Sequence, residues 1–352
     1  MTPNPSTPEF STLPGMRARF DRVARQLPCN AADLKSHRAW RRKAGARLKS
    51  LTGYDTMVRC GARPKVTDVV DCGDYIRQRV EICTEPRVIM PMFVLIPKQG
   101  SPPYPVVVAP HGHGSGGKLS PAGCREIPAV AAAIDQFNYA YGVEFAKNGF
   151  ITFCPDARGF GERREEHDRQ DIMMSSCLWL NHMAYPLGQT VTGMWTWDIH
   201  RLIDYIERRD DCDSKRLGCA GLSGGGLQTL WATALDNRVK CAIVSGYLYG
   251  YKESLLDLHV NCSCNYVPHL YEHVDMGDIA AMIAPRPLLV ETGNADSLNG
   301  ASGVRNVKSQ VRIARRAYKL YGATRLLRHY VFEGEHRWDG AHAVPWLRKH
   351  LV

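Results

Sequence analysis

The run Leu217 to Gly226, reading Leu-Gly-Cys-Ala-Gly-Leu-Ser-Gly-Gly-Gly, leaves the surrounding chain few ways to fold. A short apolar segment leads into Gly-x-Ser-x-Gly, and a helix-forming segment, Leu227 to Leu235, follows at once. This is the sequence form of a nucleophile elbow, in which a strand ends in a tight turn and a helix departs from it. Side chains beside such a serine would collide, so Gly221 and Gly225 supply the missing bulk and the tolerance for strained backbone angles. Ser223 would then stand at the carboxyl edge of a sheet, and Gly224 would open a helix whose free amides and dipole favour an anion. Taken alone, the run also reads as a glycine-rich turn before a helix, so its meaning rests on the rest of the chain.

Strand-like and helix-like patterns alternate on both sides of that turn. Val106 to Ala109, Phe150 to Cys154, Val239 to Ser245, Pro287 to Glu291 and Leu326 to Phe332 are short apolar runs of strand length. Tyr139 to Asn148, Val191 to Arg208, Val304 to Tyr321 and the region of Ala343 to Leu351 carry helical spacing, with Trp195, Ile199, Leu202, Ile203 and Ile206 on one face of the second. Such alternation implies an α/β fold with a mostly parallel central sheet and helices on both faces. Before it, Lys65 to Pro97 reads as antiparallel strands, including Tyr75 to Cys83 and Val88 to Ile96. Residues 1–14 are polar and proline-rich and read as unordered, and 15–53 read as basic helices. The expected organisation is an N-terminal extension over 1–53 and one catalytic domain over 54–352. Glu162 to Thr190 and Tyr247 to Asp278 break the alternation, are rich in aromatics, His and Met, and are too apolar for disorder. Both leave the carboxyl edge of the sheet, so they are expected to roof a pocket there.

Composition narrows the function classes. With 352 residues, 44% apolar and 23% charged, the balance is that of a globular protein with a sizeable core. No apolar run is long enough to cross a bilayer, and Met1 to Pro14 lacks the pattern of an export signal, so a cytoplasmic protein with no membrane partner is expected. The twelve cysteines are dispersed, several of them in strand-like runs such as Cys154, Cys219 and Cys241, and read as reduced, buried thiols. Of the formal charge of +10, +9 lies between Arg17 and Lys49, where eleven Lys or Arg face Asp21 and Asp33. A basic helical arm without interleaved aromatics reads as a solvated or packing face, so no nucleic-acid partner is expected. The same helices offer a contact surface for a homo-oligomer.

A serine hydroxyl needs a base to act as a nucleophile, and the base needs an orienting acid. Asp296 follows the strand ending at Glu291, and His336 follows the strand ending at Phe332, so Ser, Asp and His occur in the chain order this architecture requires. Ser223, Asp296 and His336 are therefore the expected catalytic residues. Val108 to Gly114, with His111-Gly-His-Gly114, is a strand ending in a flexible loop able to aim a backbone N–H at a developing oxyanion. The two expected donors are the backbones of His113 and Gly224. No cofactor and no metal are expected: His111 and His113 have no carboxylate or cysteine nearby in sequence. The set His259, Cys262, Cys264, His269 and His273 has Cys-x-Cys spacing and no second cysteine pair.

Several blocks together resemble one family: His111 to Gly114, Asp156-Ala-Arg-Gly-Phe-Gly161, Trp197-Asp198 with Asp204-Tyr205, Arg216 to Gly226, Cys262-Ser-Cys-Asn-Tyr-Val-Pro268, and Asp275 to Glu291. Over residues 35–352 the chain resembles the α/β-hydrolase branch of acetyl xylan esterase-like and dienelactone hydrolase-like proteins. The resemblance implies the same nucleophile, acid, base and oxyanion donors, and makes Arg158 and its aspartate scaffold. Dienelactone hydrolases proper use cysteine, so the serine favours the esterase side. Two departures stand out: Asp296 is followed by Ser-Leu-Asn-Gly, and Glu335 precedes the histidine where glycine is common, a carboxylate that could tune or compete for the base. The expected activity is a serine carboxylesterase acting on small or carbohydrate-linked, acetyl-type esters through an acyl-enzyme. A serine peptidase or amidase, and a non-catalytic binding protein on the same fold, are the alternatives.

Overall fold

The computed structural model describes residues 10–258 and 260–352, so residues 1–9 of the start expected to be unordered over 1–14, and His259, lie outside the described residues, while Leu13 and Pro14 of that start already open a helix, where proline fits the first turn. The chain opens with α1 (Leu13–Val23) and α2 (Leu34–Thr52), then forms β1 (Lys65–Asp71), β2 (Tyr75–Glu85) and β3 (Val88–Pro97). Next come β4 (Tyr104–Val108), α3 (Pro128–Phe137), α4 (Tyr141–Lys147), β5 (Ile151–Pro155), α5 (Cys177–Ala184) and α6 (Val191–Ile206). They are followed by β6 (Cys212–Leu222), α7 (Gly224–Leu235), β7 (Cys241–Ser245), α8 (Leu270–His273) and α9 (Met276–Ala281). The chain closes with β8 (Leu288–Gly293), α10 (Val304–Leu320), β9 (Leu327–Phe332) and α11 (Ala343–Leu351).

One nine-stranded sheet runs in the order β1-β2-β3-β5-β4-β6-β7-β8-β9. Its first strands pair antiparallel, and β5 through β9 pair parallel. Strands β4, β5 and β7 are buried along their whole length because helices cover both faces, which is why they read as continuous apolar runs. The period-two alternation sorts their side chains: Cys241 and Ile243 of β7 join Phe145 of α4 and Leu347 of α11, whereas Ala242 and Val244 join Leu230 of α7 and Ile279 of α9. Helix α10 buries Val307, Val311, Ala314 and Tyr318, a stripe at helical spacing. The parallel strands fall where the sequence places them, with β6 starting five residues earlier, at Cys212. Helix α3 was not expected; its buried face is Val130, Ala133 and Ile134, too alanine-rich to give a strong apolar signal.

The basic arm is built into the fold. Asp33 caps α2 by accepting from the Ser36 N–H at 2.7 Å, and the helix stops at Gly53 in the left-handed region, φ 69°. Between the two helices, the N–H groups of Arg25, Gln26 and Leu27 donate to the carbonyls of Tyr271, Glu272 and His273. The Arg25 guanidinium grips the buried carboxylate of Asp278 at 2.7 and 2.9 Å. Arg17 pairs with Asp257 and Arg19 with Glu272. These cations answer acids of the second irregular segment, so of the two readings, solvated or packing face, this part of the arm takes the second while Arg17 and Arg19 stay half exposed. Asp278 also accepts from the N–H groups of Cys29 and Asp275, so Arg25→Ala leaves it buried but partly bonded. We expect that variant to lose about 1–3 kcal/mol of stability in urea unfolding at neutral pH.

Candidate active site

Ser223 sits between β6 and α7 with φ 59° and ψ −118°, a strained conformation for a residue with a side chain. What holds it there is backbone packing. A Cβ on Gly221 would come within 2.7 Å of the Gly225 carbonyl oxygen and 2.8 Å of the Pro110 oxygen, and one on Gly225 would overlap the Pro110 oxygen. The Ser223 N–H donates to the Ser245 carbonyl at 2.9 Å, anchoring the turn to the end of β7.

The loops after β8 and β9 arrive at the same edge. His336 Nδ1 donates to Asp296 Oδ2 at 2.7 Å, and Asp296 Oδ1 accepts from the Leu298 N–H at 2.9 Å. The Asp296 carboxylate is buried while the imidazole keeps 21% of its exposure, so the pair is fixed on one side and open on the other. The donation from Nδ1 leaves the Nε2 lone pair free. Glu335 is exposed, and the partner of the imidazole is Asp296. The ring also lies close to the end of β7, 2.9 Å from where a Cβ on Gly246 would stand.

The loop after β4 is held from several sides. Tyr141 donates to the Pro110 carbonyl at 2.6 Å, Gln228 to that of His111 at 3.0 Å, and Tyr139 to that of His113 at 2.8 Å. His111 is buried, and its Nε2 accepts from the Ala157 N–H at 3.1 Å, stapling this loop to the one after β5; burial pushes its pKa down to about 4. Among the described residues, neither the His113 N–H nor the Gly224 N–H has an acceptor. Ser223, Gly224, His113 and His336 share a cavity of about 1300 Å³. Both irregular segments contribute to its wall, through Ser175 and Leu178 and through Tyr247, Tyr249, Asn261 and Tyr266, as does the arm through Leu13 and Met16.

Residues of the chain are 30% identical over 226 positions to the "Putative hydrolase YtaP" of Bacillus subtilis, spanning 63% of this chain and 70% of that protein. The chain belongs to this family of α/β-hydrolases. A family model described as glucuronyl esterase of fungi matches residues 183–247, which hold α6, the elbow and β7. Among solved structures, a "putative acetyl xylan esterase" from Bacteroides fragilis superposes with a TM-score of 0.80, at 17% identity, over 98% of this chain and 96% of its own. A glucuronoyl esterase from Solibacter usitatus gives 0.65 at 16% identity, over 98% and 99%. These two share the fold.

Beneath the loops after β4 and β5 the hydrolase buries ion pairs, in keeping with the scaffold role that the resemblance implies for Arg158 and its aspartate, with partners that the sequence did not announce. Asp156 accepts from the Lys118 ammonium at 2.7 Å, and Arg158 and Arg163 converge on Asp198. These groups brace the loops after β4 and β5. Of the set His259, Cys262, Cys264, His269 and His273, the first lies outside the described residues, and among the others His269 turns to Glu272 and His273 to Arg47. Instead Cys262 and Cys264 meet His113 and Cys177, so the cysteine neighbours that His113 lacked in sequence are supplied by the fold.

Glu291, at the end of β8, is fully buried, and its carboxyl oxygens have no partner among the described residues. Burial, reinforced by Asp339, pushes it up to about 8, so it is protonated at neutral pH. Between its ordinary value of 4.5 and about 8, the folded chain holds a proton that the unfolded chain has released. Stability therefore falls as pH rises through that window, by up to about 1.4 kcal/mol per pH unit. We expect Glu291→Gln to gain on the wild type progressively from about pH 5 to about pH 8 in urea unfolding. His111 works in the opposite sense, towards lower pH, but is common to both chains and cancels in the difference. Parallel stability curves would contradict the buried-acid account.

Proposed function

We propose that this hydrolase is a serine carboxylesterase whose nucleophile, base and acid are Ser223, His336 and Asp296. The observation that carries the reading is the Asp296–His336 hydrogen bond of 2.7 Å, opening onto the same cavity as the strained elbow serine. Asp296 fixes the imidazole tautomer, so Nε2 takes the Ser223 proton as Oγ attacks the ester carbonyl. The oxygen that becomes negative is held by the free N–H groups of His113 and Gly224. The tetrahedral intermediate collapses as His336 returns the proton to the leaving alcohol, and the acyl-enzyme is then hydrolysed by water activated in the same way. In this reading the catalytic machinery belongs to residues 54–352, and the N-terminal extension adds Leu13 and Met16 to the cavity lining.

The wall supports a neutral, carbohydrate-borne ester. Among the described residues it carries no Lys, Arg, Asp or Glu, and it presents Tyr139, Tyr247, Tyr249, Tyr266 and Tyr271. Tyrosines combine apolar faces with polar tips, a surface suited to sugar rings. The names of the relatives in the fold, acetyl xylan esterase and glucuronoyl esterase, point the same way. The neutral wall favours the acetyl-type ester.

Ser223→Ala is expected to abolish hydrolysis of p-nitrophenyl acetate and labelling by a fluorophosphonate while leaving the circular dichroism spectrum unchanged; retained turnover would sink the assignment. Asp296→Asn is expected to lower kcat by about 10⁴-fold, since the imidazole then presents the wrong tautomer. Acetylated sugars should outrun peptide amides and glucuronate esters in a substrate panel. A reversed order would move the acyl group away from acetate.

A further inference from the structure

We infer that His113, Cys177, Cys262 and Cys264 form a binding site for a tetrahedral thiophilic cation, zinc by preference, in the roof of the cavity. The four donor atoms come from three distant parts of the chain: the loop after β4, the start of α5, and the segment leading to α8. All lie within 4.8 Å of one another, and His113 Nε2 faces Cys264 Sγ at 3.3 Å. A zinc ion with Zn–S near 2.3 Å and Zn–N near 2.0 Å sets its donors about 3.5–3.8 Å apart, so small side-chain adjustments close the shell. Three thiolates and one imidazole are a complete structural ligand set that leaves no position for water. A single disulfide would use two of the three sulfurs and leave the imidazole without a role.

The surroundings match what metal-bound thiolates require. Asn265 Nδ2 donates towards Cys264 Sγ at 3.6 Å, and the Ser175 hydroxyl stands 3.9 Å from Cys262 Sγ, contacts that hold sulfur ligands in place. Cys177 and Cys264 are buried, whereas His113 and Cys262 line the cavity, so an ion has a route in. Binding expels the three thiol protons to solvent, and the dication offsets the buried thiolate charge. The ion would tie the loop that carries the proposed His113 oxyanion donor to both roof segments at once. Its role is structural: it does not touch the reacting atoms.

The test reads metal rather than turnover. Protein purified without chelator should carry one zinc per chain by plasma mass spectrometry, and the double variant Cys177→Ser/Cys262→Ser should carry almost none. Ser223→Ala should keep its full complement, which separates failure of the metal site from failure of the proposed nucleophile. Replacement by Co(II) in the wild-type chain probes the ligands without any variant. Intense tetrahedral d–d bands and a near-ultraviolet thiolate charge-transfer band are expected. No bound metal, either as purified or after incubation with Zn(II) or Co(II) under reducing conditions, overturns the site. An ion retained by a folded double variant, or a native chain lighter by two hydrogens, which would mark a disulfide, does the same.

Discussion

The site depends on one close approach, that of the Gly221–Gly225 turn to the Pro110 carbonyl. Strands β4 and β6 are neighbours in the sheet, so the loops leaving their carboxyl ends must pass one another. With no Cβ on either glycine, they pass at backbone distance. That contact holds Ser223 at a positive φ and sets it beside the loop carrying His113. The strain is supported by bonds on every side: Tyr141 on the Pro110 carbonyl, Gln228 on that of His111, and Ser245 accepting from Ser223. Strain of this kind persists only where its surroundings over-determine it. Here the sheet register does so.

Parallel pairing carries this order across to the other two groups. Strands β6, β7, β8 and β9 are consecutive in the sheet and all run the same way, so the loops after β8 and β9 come out beside the elbow. The roof is a different kind of construction. It is assembled from two irregular segments and the arm, joined by backbone pairing of residues 25–27 with 271–273 and by ion pairs such as Arg25–Asp278. The sheet thus positions Ser223, Asp296 and His336, and long-range polar contacts position what covers them.

This division explains how much of the molecule could be read from its residues. Local signals suffice for the core: the Gly-x-Ser-x-Gly turn, the apolar strands and the stripe on α10 each follow from neighbours in sequence, and Ser, Asp and His occur in the order the architecture imposes. The pairing of Asp296 with His336 was legible because each follows a strand. Arg158–Asp198, Lys118–Asp156 and the meeting of His113 with Cys177, Cys262 and Cys264 were not. Each joins residues 38 or more positions apart whose spacing has no local period. Helix α3 was hidden for another reason: alanine fills its buried face, and alanine carries little of the apolar contrast by which helical periodicity is seen.

The electrostatics of the cavity follow from where the charges were put. Lys118 with Asp156, Arg158 and Arg163 with Asp198, and Arg25 with Asp278 all stand outside its lining, and each of these charges is turned to its partner. Glu291, the acid without such a partner, is neutralised by its own burial. What remains facing the cavity is a wall of tyrosine and apolar groups, with the Asp296–His336 pair and two free amides at its base. In a medium of low dielectric, fixed dipoles act on a nearby charge far more strongly than in water, and among the described residues no Lys, Arg, Asp or Glu lines the cavity to compensate them. A carbonyl oxygen placed there would meet its strongest stabilisation only as it became negative. In the proposed reaction, the pairing of the charged side chains with one another keeps their own charge off the cavity wall.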